Sequence, residues 1–360
     1  MNKTCIYDVL NNAVINTKIV TLHFKLKNMN SVQLNTILVI QTASIGDVVL
    51  ATSILETLHR EYPLSNIDIL VKKGNETLFD GHLFVNNVLI WNKNNNKYRN
   101  LLKLIREIRT KKYDLVINLQ RFLSSGLMTC FSKSKQTRGF KKNPLSLFFT
   151  KRFVHHINIK QFTHEIDRNA LLIADLCTSN KVEKPKLYPK VNLLFSFQNN
   201  VYYTISPSSL WKTKQMPIDK WVELVRLISK KGDVCLLGSK NDRELCEQII
   251  EMSGFKDCIN LCGKLSFLQS CNIMYGAKMN FTNDSAPLHF CSAVNAPVTA
   301  VFCSTVPEFG FTPLSENNYI IQTQLKLKCR PCGLHGHKEC PQKHFACGNT
   351  IEISEFLSRF

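Results

Sequence analysis

Short apolar runs of strand length alternate along this chain with longer stretches whose apolar residues recur every three or four positions. The run "TILVIQ" (Thr36–Gln41) is β-branched and brief, and Ile45–Arg60 after it carries apolar residues at helical spacing. "NIDILV" and "VNNVLIW" read as two more strands, followed by a basic helix from about Asn100 to Lys111 and a strand at "YDLVINLQ" (Tyr113–Gln120). The texture changes after Lys181, where "KVEKPKLYPKVNL" is rich in Pro and Lys and reads as a linker. The rhythm then restarts with a strand at "VYYTISP", a helix at Ile218–Lys230, a strand at "DVCLLGS" and a helix at Asp242–Met252. A short strand at "CINLCG", a strand at "AKMNFTND" running into a helix at Ala286–Val294, and a strand at "PVTAVFC" complete it. Strands alternating with helices of this length call for parallel sheets covered by helices on both faces. Two successive halves of this kind predict an α/β protein of two doubly wound domains facing each other across a cleft. The expected division is an N-terminal extension over 1–34, a first domain over 35–180, a linker over 181–200 and a second domain over 201–360.

Composition narrows the class. With 360 residues, 44% of them apolar, the chain can bury two cores of ordinary size. No stretch approaches the roughly 18 uninterrupted apolar residues of a membrane span. The first 29 residues have their apolar groups interrupted by Asn and Lys and lack a small-residue cleavage pattern, so they do not read as a signal peptide. Met29, just ahead of the first clear strand, is an alternative start. Of the 14 cysteines, ten are scattered, several of them in apolar runs such as "DVCLL" and "AVFCS", where Cys behaves as a small buried hydrophobe. A reducing, cytoplasmic compartment suits that pattern better than secretion. The net charge is +19, and residues 101–200 hold 19 Lys and Arg against 6 Asp and Glu, which is +13 of it. That concentration fits either solvated faces or a surface for an anionic partner.

In open α/β sheets ligands bind beyond the carboxyl ends of the strands, where helix N-termini present free N–H groups. Three such places stand out. In "QTASIGDVVLATS" a strand ends, Gly46 turns the chain and Asp47 opens a helix. Such an Asp serves either as a cap and dipole partner or as a reactive carboxylate. The loop lacks the G-x-G-x-x-G spacing of a dinucleotide fingerprint. In "ISPSSLWKTKQMPIDKW" the hydroxyls of Ser208 and Ser209 and the amines of Lys212 and Lys214 precede a helix opened by Pro217, an arrangement suited to a diphosphate. In "FTNDSAPLHF" a strand ends at Asn283–Asp284, Ser285 can cap the next helix, Ala286 is small enough for close backbone approach, and His289 lies one turn inside.

The order of these segments resembles glycosyltransferase family 9, the ADP-heptose:lipopolysaccharide heptosyltransferases, over roughly Asn35 to Ile353. The resemblance is carried by "IGDVVLATSILETL", "KYDLVINLQ", "TRGF" and "THEIDRNALLIADL" before the linker. After it come "SPSSLWKTKQMP", "CLLGSKNDRE", "NLCGKLSFLQ", "TNDSAPLHFCSAVNAPVTAVF" and "CRPCGLHGHKECPQKHFAC". It implies a GT-B architecture of two Rossmann-like domains, with the acceptor bound mainly by the first and the nucleotide sugar mainly by the second. It implies Asp47 as the general base, and Ser208, Ser209 and Lys214 at the diphosphate. It also implies Asp284, Ser285, Ala286 and His289 as the family's D-[ST]-G-x-x-H element, Asp242 near the ribose and Leu265 against the base. Gln215 and Met216 stand where Arg-Trp is frequent and Ala286 where Gly is usual, which bears on donor and acceptor identity more than on the reaction. The implied function is inverting transfer of a heptose-like sugar, from ADP-heptose, to a hydroxyl of a lipopolysaccharide-core or other glycolipid acceptor. The alternative within the class is another sugar and acceptor. With no Asp-x-Asp motif, the reading requires no cofactor for catalysis.

Two features remain. Cys329, Cys332, Cys340 and Cys347, spaced C-x2-C-x7-C-x6-C with His335, His337 and His344 among them, could hold a structural zinc or stay free thiols. The segment Gly139–Lys160 mixes Lys141, Lys142, Lys151 and Arg152 with Phe148, Phe149 and Phe153, which suits a peripheral contact with the anionic inner leaflet or else merely core phenylalanines under solvated lysines. Nucleic acid is not expected as the partner. The basic segment lacks interleaved stacking aromatics, and the motifs above would have no use.

Overall fold

The strand runs are Val-, Ile- and Leu-rich with few polar interruptions, as strands covered on both faces must be. In the computed structural model, which describes residues 33–190 and 201–359, they form two six-stranded sheets. The expectations for the N-terminal extension and for Met29 as a start fall almost wholly outside the described residues. The first sheet contains β1 (Thr36–Ile40), β2 (Asn66–Lys72), β3 (Val85–Trp91), β4 (Leu115–Asn118), β5 (Gln136–Phe140) and β6 (Lys151–Phe153), in the order β3-β2-β1-β4-β5-β6. The second contains β7 (Tyr202–Ser206), β8 (Asp233–Leu236), β9 (Ile259–Asn260), β10 (Met279–Asn283), β11 (Val298–Phe302) and β12 (Asn318–Gln322), in the order β12-β11-β10-β7-β8-β9. Every pairing is parallel. Numbered within each half, both sheets have the Rossmann order 3-2-1-4-5-6. Each therefore has one point where the chain reverses its direction of travel: between β1 and β4, and between β7 and β10.

The helices follow their sequence logic. Helix α1 (Ile45–Glu61) is buried almost all round from Val48 to Leu58, because it packs against the first sheet and also against α8 (Ala286–Val294) beside the second. Helix α2 (Lys97–Lys111) buries only Leu101, Leu104, Ile105 and Ile108, the one apolar stripe among its lysines and arginines. Helix α5 (Ile218–Ile228) buries Trp221, Val222, Leu224, Val225 and Ile228 against β7 and β8. Helix α6 (Arg243–Ser253) ends at Gly254, whose φ of 79° makes the left-handed stop that glycine reaches without strain. The remaining helices are α3 (Leu123–Cys130), α4 (Glu165–Ala170), α7 (Phe267–Gly276) and a short α9 (Ala346–Asn349). By contacts, Thr36–Phe360 is a single compact unit that contains both sheets.

Candidate active site

At the first reversal point the residues after β1 and β4 meet. Gln120 donates through Nε2 to Gln41 Oε1, tying the two strand ends together. Asp47, in the first turn of α1, accepts from both the backbone N–H (3.2 Å) and the hydroxyl of Ser44, so it does cap the helix. Burial nonetheless raises its carboxyl above the ordinary range. Ser44's hydrogen bonds oppose that shift, Glu165 adds to it, and His335 opposes it. A carboxylate held more basic than usual at a ligand-facing helix start is suited to take a proton.

Asp47 lines a cavity of about 580 Å³ together with Gln41, Ser44, Trp91, Gln120 and Phe140. Lys72, Lys73, Lys93, Arg121 and Lys142 line the same cavity, so its wall is strongly cationic. Lys93 is fixed there by donating to Thr42 O at 2.8 Å and by lying over the Trp91 ring. Its amine is lowered from the ordinary value, first by burial and then by Lys72 and Lys97. The cavity's second carboxylate is Glu165, at the start of α4. It is held by His155 Nε2 (3.1 Å) and Arg168 Nε (2.8 Å). Burial works to raise Glu165, yet His155 and Arg168 prevail and keep it below the usual range. Glu165 is thus paired with Arg168, while Asp47 has no ion-pair partner among the described residues. Arg168 also donates to Phe309 O and Thr163 O, and Glu165 N donates to Gly310 O, which fastens α4 to the segment after β11.

At the second reversal point the residues after β7 and β10 meet. Lys214 Nζ lies 2.7 Å from Asp284 Oδ2, and Thr305 Oγ1 donates to the same oxygen at 2.6 Å. The loop carrying Lys214 is held by Asn283, whose side chain accepts from Met216 N (2.9 Å) and donates to Pro207 O (2.7 Å) while fully buried. Ser208 and Ser209 are half-exposed on that loop, and Gln215 donates to Ser209 O. Asp242 follows β8 and accepts from Ser239 N and Oγ at 2.7 and 2.6 Å, and Leu265, half-buried, follows β9. Ser285 precedes α8 without a capping bond from its side chain, so its hydroxyl leaves the N-terminal N–H groups open. Ala286 is not among the residues with positive φ, so replacing the usual glycine costs no backbone strain here. His289 is buried, its Nδ1 has no partner among the described residues, and burial pushes its imidazole down to about 3. It is a neutral ring.

The two places touch. A Cβ built on Gly46 would stand 2.9 Å from His289 Cδ2 and 3.7 Å from Ala286 Cα, so the N-terminal turns of α1 and α8 are packed against one another. Asp47 therefore begins one helix directly beside the start of the other. Ser208, Ser209, Lys214, Asp242, Leu265, Asp284, Ser285, Ala286 and His289, expected at the nucleotide sugar, follow the carboxyl ends of the second sheet's strands and do not line the cationic cavity. Glu165, His155, Asn283 and Thr305 were missed in sequence. Glu165 lies in "THEIDR" and Asn283 in "TND", but neither segment shows which partners they meet, and nothing in the sequence singled out His155 or Thr305.

Two features left open by the sequence take definite places in the fold. The four C-terminal cysteines do not come together as a metal set: among the described residues no group of three or more His, Cys, Asp or Glu is placed for one. Cys347 is drawn into the apolar core of the second sheet, Cys332 Sγ donates to Cys329 O, and Cys329 Sγ faces His344 Nε2 at 3.8 Å. The core's demand for a small apolar group outweighs the spacing. In the basic segment, Phe149 is core, packed onto Gly139 where a Cβ would stand 2.5 Å from its ring. Lys151 is paired with Asp175 at 2.6 Å, and Lys142 turns into the cavity.

Paired Rossmann-ordered sheets, with a basic carboxylate at one reversal point and a lysine–aspartate pair at the other, define a GT-B glycosyltransferase. Comparison with known proteins makes this specific. The chain belongs to glycosyltransferase family 9 (heptosyltransferase), whose family model matches residues 101–344. It is 27% identical over 293 residues to lipopolysaccharide heptosyltransferase 3 of Escherichia coli K12, covering 76% of this chain and 83% of that one. It is 23% identical over 319 residues to lipooligosaccharide heptosyltransferase 2 of Campylobacter jejuni, covering 88% and 94%. Among solved structures, the E. coli ADP-heptose lipopolysaccharide heptosyltransferase II superposes with a TM-score of 0.69 at 22% identity, covering 87% of this chain and 97% of that one.

Proposed function

We propose that this enzyme transfers a heptose from ADP-heptose, with inversion, to a hydroxyl of an anionic lipopolysaccharide-core acceptor. The observation that carries the reading is the half-buried Asp47 carboxylate, raised above its ordinary range, inside a cavity walled by Lys72, Lys73, Lys93, Arg121 and Lys142. Such a wall suits an acceptor bearing phosphate or carboxylate groups. Asp47 takes the proton from the acceptor hydroxyl as the new oxygen–carbon bond forms and the bond from the sugar's anomeric carbon to the diphosphate breaks. ADP leaves with its charge met by Lys214 and the N-terminus of α8. Asp284 holds Lys214 in place before the diphosphate arrives. The support for the donor is the likeness to an enzyme named for ADP-heptose.

In this reading residues 35–180 serve the acceptor and 201–360 the nucleotide sugar, joined through 181–200. The enzyme works on the cytoplasmic face as a peripheral protein. Among the described residues no helix is long and apolar enough to cross a membrane. Leu147 and Phe148 are 71% and 73% exposed, close in the chain to Lys141 and Lys142, and they suit shallow insertion beside anionic head groups. Co-sedimentation with anionic liposomes, lost when both become Ser, checks this part. The function itself is tested by following ADP release from ADP-heptose with a deacylated core oligosaccharide as acceptor. Release with another nucleotide sugar and not with ADP-heptose overturns the donor.

A further inference from the structure

The loop from Cys332 to Cys340 is locked onto the loop that carries Lys214. Gly333 and Gly336 have φ of +67° and +75°, and a Cβ on Gly336 would stand 2.8 Å from Thr213 Oγ1 and 2.9 Å from Ser304 Oγ. Only glycine lets the backbone lie so close in that conformation. Thr213 N donates to His337 O (3.1 Å), His337 N donates to Thr213 Oγ1 (2.8 Å), and Cys332 N donates to Ser304 O (2.9 Å). One side of the turn at His335 is thereby fixed to Thr213, the neighbour of Lys214, and the other to Ser304, whose hydroxyl donates to Thr213 Oγ1 at 3.1 Å.

This fixation carries Leu334 and His335 over to the cationic cavity of the first sheet. Of the residues lining that cavity, only Phe311, Leu334 and His335 come from the half built on the second sheet. Of these three only His335 can hydrogen-bond or carry a charge. Its ring is exposed and makes no hydrogen bond to other described residues. It lines the same cavity as the Asp47 carboxylate. An uncommitted imidazole at this place faces whatever approaches Asp47.

We infer that His335 hydrogen-bonds the acceptor from the side of the second sheet, beside the hydroxyl that Asp47 deprotonates, so that the cysteine-rich loop takes part in acceptor recognition. This rests on the acceptor reading of the cavity given above. The test compares wild type with His335→Ala and His335→Asn, using ADP-heptose and the deacylated core oligosaccharide. His335→Ala raises the acceptor KM roughly 10-fold, the worth of one hydrogen bond to a charged group, and His335→Asn recovers part of it. ADP affinity by calorimetry and melting temperature stay at wild-type values. An unchanged acceptor KM overturns the inference. So does a matching loss of ADP affinity or of melting temperature, which would show that the residue merely props the loop. A second readout is the His335 ring resonance, identified by its absence in His335→Ala, which shifts when the oligosaccharide is added. If wild type transfers no sugar, the proposed function fails and this resonance alone decides: a shift keeps His335 as a contact, and none removes it.

Discussion

The two sheets share one strand order and differ in what stands at their reversal points. The first presents a basic carboxylate in a cavity walled by cations. The second presents a lysine already neutralised by Asp284, a fully buried asparagine that fixes the loop, and a neutral histidine. One half lines a cavity with cations, and the other pairs its lysine with a carboxylate. The same backbone plan therefore carries two different sets of side chains, because strand order sets only where ligands can sit while the loops set which side chains stand there.

The comparison breaks most sharply at Asp47. Asp47→Asn should lower kcat by about 10²- to 10⁴-fold, the usual worth of a general base, with ADP affinity little changed. Turnover near wild type would leave Asp47 as a cap alone. The pH dependence follows from the direction of its shift. A raised carboxyl is protonated, and inactive as a base, up to a higher pH than an ordinary Asp, so the acid limb of kcat should lie above the usual aspartate range. A limb at or below that range would contradict it.

The next effect lies in the second sheet. Lys214→Ala should weaken ADP binding about 10-fold or more, since it removes a charge-assisted contact and leaves buried Asp284 without its cation. Adenosine should bind about as before, and equal losses for both ligands in a calorimetric titration would remove Lys214 from the diphosphate. Asn283→Ala strands Met216 N and Pro207 O in the interior and should cost about 1–3 kcal/mol of stability. Denaturant unfolding reads this directly, and an unchanged midpoint would mean the loop is held otherwise.

A smaller, graded effect comes from the buried histidines. His289 and His82 are pushed down to about 3 and about 4 by burial, from an ordinary value near 6.5. The unfolded chain then binds protons that the folded one refuses, so stability is full above about pH 6.5 and is lost as the pH falls toward 4. The fall in melting temperature over that window should be shallower in His289→Gln, and an identical slope would show that this ring does not drive it. The smallest expected effect is none: turnover should survive EDTA, because the leaving charge is met by Lys214 and a helix start. Activity lost to EDTA and restored by Mg²⁺ would overturn that assignment.

Much of this was legible in the chain alone. The long apolar runs of β1, β2, β4, β7, β10 and β11 announce parallel strands by composition, and the periodic stripes of α1, α5 and α6 announce their helices. Asp47, Lys214 and Asp284 could be singled out as candidates because each follows a strand and opens a turn. Short elements were unevenly legible. β6 is three residues of Lys-Arg-Phe, and nothing local distinguishes it from loop; pairing with β5 creates it, whereas β9, two residues paired with β8, falls inside the short strand read at "CINLCG". The fate of the cysteines was not legible either, because spacing counts residues along the chain whereas burial of Cys347 depends on what the second sheet needs filled. Nor could any pattern place His335 beside Asp47, 288 positions away by subtraction of their numbers. What the sequence determined by itself was periodicity, which is local and repeats. What only the tertiary structure decided were the meetings of Gly46 with His289, of Glu165 with His155 and Arg168, and of His335 with the first sheet's cavity, because these depend on distances through space that no local pattern encodes.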